Sequence, residues 1–420
     1  MHDPDLQALS EAAAGLLLFQ NVLQHPIGEN WGRLLELLSR DPIPAVPVIL
    51  RQYGQLFHAQ ATEQLSWTQF LVQQIRWDDN PFSRAAALHP LSHLPDPLIQ
   101  AAQKDLRALQ QLARGESIIQ SRVLTLGIQV WWAGSSAVTS QDWDPEDAPD
   151  WGETLTQLAQ TYRNQGVGLC AQFRAFRWAN GQLQGIPHPD PVAMAQLYGY
   201  PRQRKLLCEN TEALLARLPA LHVLLYGARG TGKSSLVKAL LHQYGDRGLR
   251  LLELNRTDLL RLPDILTALQ SRSQTFILFV DDLSFETDEV EFKQLKVLLE
   301  GDITAQPANV RVYATSNRRH LIREFFRDRP DPANEEVHAW DTVQERLSLG
   351  DRFGLTLSFS PFNQAEYLET VLQLSKWAQL EVDPAQLKQQ AVAWAQQQNG
   401  FSGRSARQFV DACRAQLIPT

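Results

Sequence analysis

The stretch "LLYGARGTGKSSLVKALL", residues 224–241, decides how this chain folds. An apolar run ends at Tyr226. Three glycines follow, Gly227, Gly230 and Gly232, separated by Ala228, Arg229 and Thr231. Lys233, Ser234 and Ser235 then open an apolar series at helical spacing, Leu236, Val237, Leu240 and Leu241. A strand that turns into a helix through such a loop aims successive backbone N–H groups, and the helix N-terminus, at a single anion. Lys233 reaches the terminal phosphates of a nucleotide, and the Ser234 hydroxyl is a magnesium ligand. Residues 227–235 are therefore a candidate phosphate cradle. A glycine-rich turn without chemistry accounts for neither the strand before it nor the helix after it.

A site of this kind needs a second half, a buried strand ending in acid. "FILFVDD" (276–282) supplies it, with Asp281 placed to hold the magnesium ion through its water shell and Asp282 to face the attacking water. Two acids that merely cap the next helix are a weaker reading, because carboxylates at a buried strand end need a cation. A further apolar strand, "VRVYATSN" (310–317), ends at Thr315, Ser316 and Asn317. Asn317 is suited to sit between Asp282 and the phosphate and orient the water. The guanine-reading sequence N-K-x-D is absent, and "LSLGD" (347–351) lies after the acid pair, unlike a transporter signature.

Around these segments strands and helices alternate from Leu197 onward. Strands are expected at Leu221–Tyr226, Leu249–Leu254, Phe276–Val280, Val310–Thr315 and Leu355–Phe359. Helices are expected from Lys233, near Leu259–Leu269, and at Asp288–Glu300, opened by Asp288 with Glu291 and stopped by Gly301. Strands apolar on both faces with helices between them imply a parallel sheet covered on both sides. The last 60 residues read as helices alone.

The first 150 residues carry helical periodicity and little chemistry, as in Leu6, Leu9, Ala13, Leu16 and Leu17, or Leu34, Leu35 and Leu38. Eight of the eleven tryptophans precede residue 180, a density read here as helix-packing core, with a partner surface as the other use. "QDWDPEDAPDW" (141–151) reads as a linker. Phe173, Phe176 and Trp178, then Asn180-Gly181, then Leu183 and Ile186, read as a short hairpin. Net charge is −7, so any attraction to nucleic acid must be local. Cys170, Cys208 and Cys413 are odd in number and widely spaced, which argues for a reducing, cytoplasmic setting. The acidic N-terminus is a poor signal peptide, and the run Ala12–Phe19 is too short to span a bilayer.

"LLYGARGTGKSSLVKALL", "FILFVDDLSF", "LKVLLEG", "VYATSNRRHLI", "ERLSLGDRFGL" and "SGRSARQF" resemble, in order, a bacterial AAA+ group catalogued as domain of unknown function 815. The resemblance covers about residues 165–420, including the "AFRW" hairpin and "LYGYPRQRKLLCENTEALL" (197–215). It implies an α/β fold, an αβα sandwich on a five-stranded parallel sheet of order 5-1-4-3-2, followed by a small helical lid. The division expected is a helical region at 1–150, a helix, hairpin and linker at 151–196, the nucleotide-binding domain at 197–360 and the lid at 361–420. It further implies ATP and Mg2+ as ligands, and assigns two arginines. Arg352 in "GDRFGL" matches a finger acting on a neighbouring subunit of a homo-oligomeric ring, with Arg346 in reserve. Arg404 matches the lid residue that senses phosphate in its own chain, with Arg407 as the alternative. The family's Asp-Asp pair agrees with Asp281-Asp282, where most motor ATPases carry Glu second.

The expected function is ATP hydrolysis coupled to remodelling or regulation of a protein partner, without a membrane. One alternative is a DNA-associated AAA+ protein of initiator or helicase-loader type. It draws on the basic residues Arg318, Arg319, Arg323, Arg327 and Arg329 and on "RQRK" (202–205). The other is a slow ATP-dependent switch.

Overall fold

The computed structural model describes residues 3–134, 143–284, 290–300, 307–317, 352–380, 382–398 and 400–415. The chain divides into two compact units, residues 1–172 and 173–420. Among the described residues no helix is long and apolar enough to cross a membrane.

The first unit is helical, as its periodicity implies. Local sequence sets the helix starts: Ser66 with Gln69, and Asn80 with Ser83, form reciprocal capping boxes, and Asp3 caps the first helix. Of the eight tryptophans before residue 180, Trp31, Trp67, Trp143 and Trp151 are core, while Trp77, Trp131, Trp132 and Trp178 are half-buried. Trp31 and Trp67 stack at 4.3 Å with their planes 3° apart, and the Trp67 indole N–H donates to the Leu112 carbonyl at 2.9 Å. A carboxylate is also buried here. Asp105, fully enclosed, accepts the backbone N–H groups of Leu17, Leu18 and Phe19 at 2.7–3.2 Å, which satisfies both the acid and a non-helical turn.

From Trp143 to Trp151, the stretch expected as a linker packs into this core. Trp143 and Trp151 are buried and meet edge to face at 6.3 Å, and Asp150 pairs with Arg107 at 2.9 Å. Its acids and prolines suggested solvent, but burying two indoles outweighs that polarity.

The second unit is built on one sheet of seven strands. These are β1 (Ala175–Ala179), β2 (Gln182–Ile186), β3 (Val223–Gly227), β4 (Leu249–Leu254), β5 (Thr275–Val280), β6 (Val310–Ser316) and β7 (Leu355–Phe359). Their spatial order is β2-β1-β4-β5-β6-β3-β7. Five of them, β3 to β7, are all parallel and run 5-1-4-3-2 across the sheet, as the AAA+ resemblance implies.

The sheet is wider than the five strands expected, because the hairpin joins it. β1 pairs parallel with β4 through Ala175↔Leu251, and β2 folds back antiparallel around Asn180 and Gly181, both at positive φ. Without this hairpin β4 would present an open edge while five of its six residues are buried.

The helix Lys233–Tyr244 packs Leu236, Val237, Leu240 and Leu241 on β3 and its neighbours, as its spacing implies. The helix expected near Leu259–Leu269 begins later. Arg256–Arg261 is a 3-10 turn, and the α-helix Leu262–Gln270 starts where Pro263 fits its first turn. The helix before β6 is described from Val290 to Glu300, so Asp288 and Gly301 lie outside the described residues. Three helices, Gln364–Trp377, Pro384–Gln397 and Gly403–Arg414, form the lid around Tyr367, Val371 and Phe409.

Trp67→Ala removes a fully buried indole, its stacking partner's contact and one hydrogen bond. We expect it to destabilise the first unit by about 3–5 kcal/mol in urea unfolding followed by tryptophan fluorescence, with a loss under about 1 kcal/mol contradicting this packing.

Candidate functional site

Strand order brings the separated motifs together. β6 lies between β3 and β5, so three loops leave adjacent strands at the same end of the sheet. The glycine-rich loop follows β3, Asp281 and Asp282 follow β5, and Thr315–Asn317 close β6. A cleft at the carboxyl ends of parallel strands is where open α/β sheets bind their ligands.

Backbone geometry explains the glycines. Gly227 sits at φ +141°, and a Cβ there would lie 2.0 Å from the Phe359 carbonyl oxygen. That same oxygen accepts the Ala228 N–H at 3.1 Å, so the end of β7 carries the start of the loop. Gly230 (φ +79°) and Gly232 (φ +87°) take the left-handed turns that lead into the helix. The Gly230 carbonyl accepts the N–H of Arg404, which ties the loop directly to the first turn of the last lid helix. Lys233 is buried, and its ammonium donates to the carbonyls of Gly227 (2.9 Å) and Ala228 (2.8 Å). Burial pushes its pKa down, with Arg229 and Arg404 adding to that, while Asp281 and Asp282 pull it back up.

The acids are held as tightly as the loop. Asp281 Oδ1 accepts from Ser234 Oγ at 2.6 Å and from Thr315 Oγ1 at 2.5 Å. Asp282 lies at φ +50°, a left-handed backbone rare outside glycine, and its N–H donates to Thr315 Oγ1 at 2.9 Å. Its carboxylate then accepts from Asn317 Nδ2 at 2.6 Å. Hydroxyl and carboxylate oxygens are the donors magnesium prefers, so Ser234 and Asp281 fit that ion.

These groups face one cavity of about 720 Å³. Arg229, Gly230, Thr231, Gly232, Lys233, Ser234, Ser235, Asp281, Asp282 and Asn317 all line it, whereas Gly227 and Ala228 form its support. Both lid arginines, Arg404 and Arg407, border the cavity, so the two alternatives left by the sequence share one site.

Arg352 does not border it. It precedes β7, whose register with β3 (Val223↔Leu355, Gly227↔Phe359) puts it beyond the far end of the strand. The strand alone separates it from its own loop by about 13 Å. Arg346 and the basic series from Arg318 to Arg329 lie outside the described residues.

Two features escaped the sequence reading. The Thr315 hydroxyl touches both acid residues. Tyr198, Gly199 and Tyr200 also line the cavity. Tyr200 adopts φ +53°, stacks on Phe362 of the lid at 5.3 Å, meets Phe359 edge-on at 4.8 Å and donates its hydroxyl proton to the Ser360 carbonyl. Burial raises its pKa to about 12. The hint was the glycine between two tyrosines just ahead of a helix-starting proline.

Among the solved structures that resemble part of this chain, two that each cover 54% of it illustrate the likeness. One is the RuvB Holliday junction branch migration motor of Thermotoga maritima, 18% identical at a TM-score of 0.38, with 65% of its own chain matched. The other is a lysine-to-arginine variant of that RuvB, 17% identical at a TM-score of 0.37, with 66% matched. Each match thus spans just under two thirds of the RuvB chain, and a likeness this low bears on neither activity nor partners. No curated protein matches the chain. The family model described as "Protein of unknown function (DUF815)" matches residues 171–417, more than half of the sequence, and the chain belongs to that family.

Proposed function

We propose that the chain binds ATP with magnesium and hydrolyses it to ADP and phosphate, using the cycle to remodel or regulate a protein partner in the cytoplasm. The observation that carries this reading is the convergence of a glycine-rich anion loop, a lysine, an acid pair and an asparagine on one cavity. The charge of that cavity supports it. Five cationic side chains, Arg204, Arg229, Lys233, Arg404 and Arg407, face three carboxylates, Asp281, Asp282 and Asp411. The surplus is positive, which suits a polyphosphate that arrives with a divalent ion.

In this reading the loop N–H groups and Lys233 bind the phosphates, and Ser234 with Asp281 hold the magnesium. A magnesium ion held there would supply charge neutralisation to the phosphates. Asp282 takes the proton of the attacking water, and Asn317, hydrogen-bonded to that carboxylate, fixes where it points. Asp282 is one methylene shorter than the usual Glu, so its reach to the water is longer and turnover is modest. Arg404 or Arg407 reads the phosphate from the lid of the same chain. Arg352, at the other end of β7 from its own loop, serves the site of a neighbouring copy, which makes the working form a homo-oligomer.

Lys233→Ala is expected to weaken ATP binding about 10- to 100-fold through loss of a charge-assisted contact, read by fluorescent-nucleotide titration. Asp282→Asn retains binding while kcat falls by about 100-fold or more; undiminished phosphate release would remove Asp282 from the chemistry. Arg352→Ala alone loses about 1000-fold in kcat. Mixing that variant with Lys233→Ala restores part of the turnover, because a site with an intact loop then meets a neighbour with an intact finger. Absence of any recovery contradicts the arrangement between copies.

A further inference from the structure

Thr315 occupies a position that the sheet register dictates. Val280 of β5 pairs with Ala314 of β6, so the next residues, Asp281 and Thr315, lie side by side where the strands end. Thr315 is 2% exposed, and its hydroxyl is shared between the two acid residues. Its hydroxyl proton goes to Asp281 Oδ1, its hydroxyl lone pair accepts the Asp282 N–H, and its carbonyl accepts the Leu283 N–H at 2.7 Å.

Two consequences follow for the acids. Asp281 Oδ1 receives three donors, Ser234 Oγ, Thr315 Oγ1 and the Asp282 N–H at 3.2 Å. Among the described residues no hydrogen bond reaches Oδ2, so the carboxylate is fixed with one oxygen saturated and the other available. Ser234 donates its proton to the same Oδ1 and keeps its lone pairs. Asp282, meanwhile, is held at φ +50°, a backbone state that persists only when its surroundings impose it. The Thr315 hydroxyl is one of the groups imposing it. This turn sends the Asp282 side chain to Asn317 instead of along the strand direction.

We infer that Thr315 is the positioning residue of the magnesium and water site: through one hydroxyl it sets which oxygen of Asp281 is offered to the cation and locks Asp282 in its working turn. The inference rests on the proposed ATP reading. A hydroxyl is required because only that group donates and accepts at once at this reach, and a β-branched residue suits the strand end. Asn317 acts on the Asp282 side chain from outside. Thr315 acts on both acids from beneath.

The experiment compares the full chain with Thr315→Val, which keeps the shape and loses the hydroxyl, and with Thr315→Ser, which keeps the hydroxyl. Three readouts are taken: fluorescent ADP affinity in EDTA, Mn2+ binding to the ADP complex by electron paramagnetic resonance, and the Mg2+ dependence of ATP turnover. For Thr315→Val, metal-free ADP affinity stays within about 2-fold of the wild type. Its Mn2+ affinity and kcat each fall about 10- to 100-fold, the range seen when a partner of a metal-holding group is lost. Thr315→Ser returns both close to wild type. Thermal melting checks that the variants fold, and Thr315→Ala replaces the valine variant if that one does not. A valine or alanine variant with wild-type Mn2+ affinity and turnover overturns the inference, as does a serine variant that rescues neither. If the wild type itself binds ADP with no Mn2+ at all, the nucleotide reading of the site fails, and this inference with it.

Discussion

The parallel pairing of β6 between β3 and β5 is the constraint on which the site depends. It sets the glycine-rich loop, the acid pair and the polar end of β6 on three neighbouring strand ends. No single motif makes the cavity. The loop supplies N–H groups and Lys233, yet Ser234 meets Asp281 only because β5 stands one strand beyond β6. The pairing is secured by burial, since every residue of β5 is enclosed and all of β6 except Arg311 is buried too. Arg311 itself is half-buried and donates to the Ala220 carbonyl at 2.7 Å, so its charge stays satisfied at the opposite end of the strand.

The lid is attached to this base at specific points. Arg404 binds the Gly230 carbonyl through its backbone, and the Ser402 side chain lies within 3.0 Å of where a Cβ on Gly230 would sit. Tyr200 bridges Phe359 of the sheet and Phe362 of the lid. Any shift of the lid therefore strains the phosphate loop itself. Under the proposed nucleotide reading, these contacts would couple occupancy of the loop to the position of the lid.

Much of the site was legible because its chemistry is local. Gly227 to Ser235, Asp281 and Asp282, and Asn317 each sit in a short segment whose strand or helix context declares itself. What escaped depends on distant pairing. The hairpin at Asn180-Gly181 was readable, but its union with β4 rests on Ala175 meeting Leu251, which no local pattern encodes. Tyr198 and Tyr200 reach the cavity through a left-handed turn and two aromatic contacts from far along the chain. Thr315 looked interchangeable with Ser316 until the register placed it against Asp281. The stretch around Trp143 and Trp151 misled because composition weighs acids and prolines, while the fold weighs two buried indoles.

The central claim is that the cavity is a magnesium–nucleotide site. Isothermal titration calorimetry of ATP into the full chain, with Mg2+ and then with EDTA, tests it most directly. The account predicts saturable heat at one ATP per chain, with affinity clearly weaker once the metal is chelated. A folded chain that shows no saturable heat up to millimolar ATP, or the same affinity with and without metal, would contradict it.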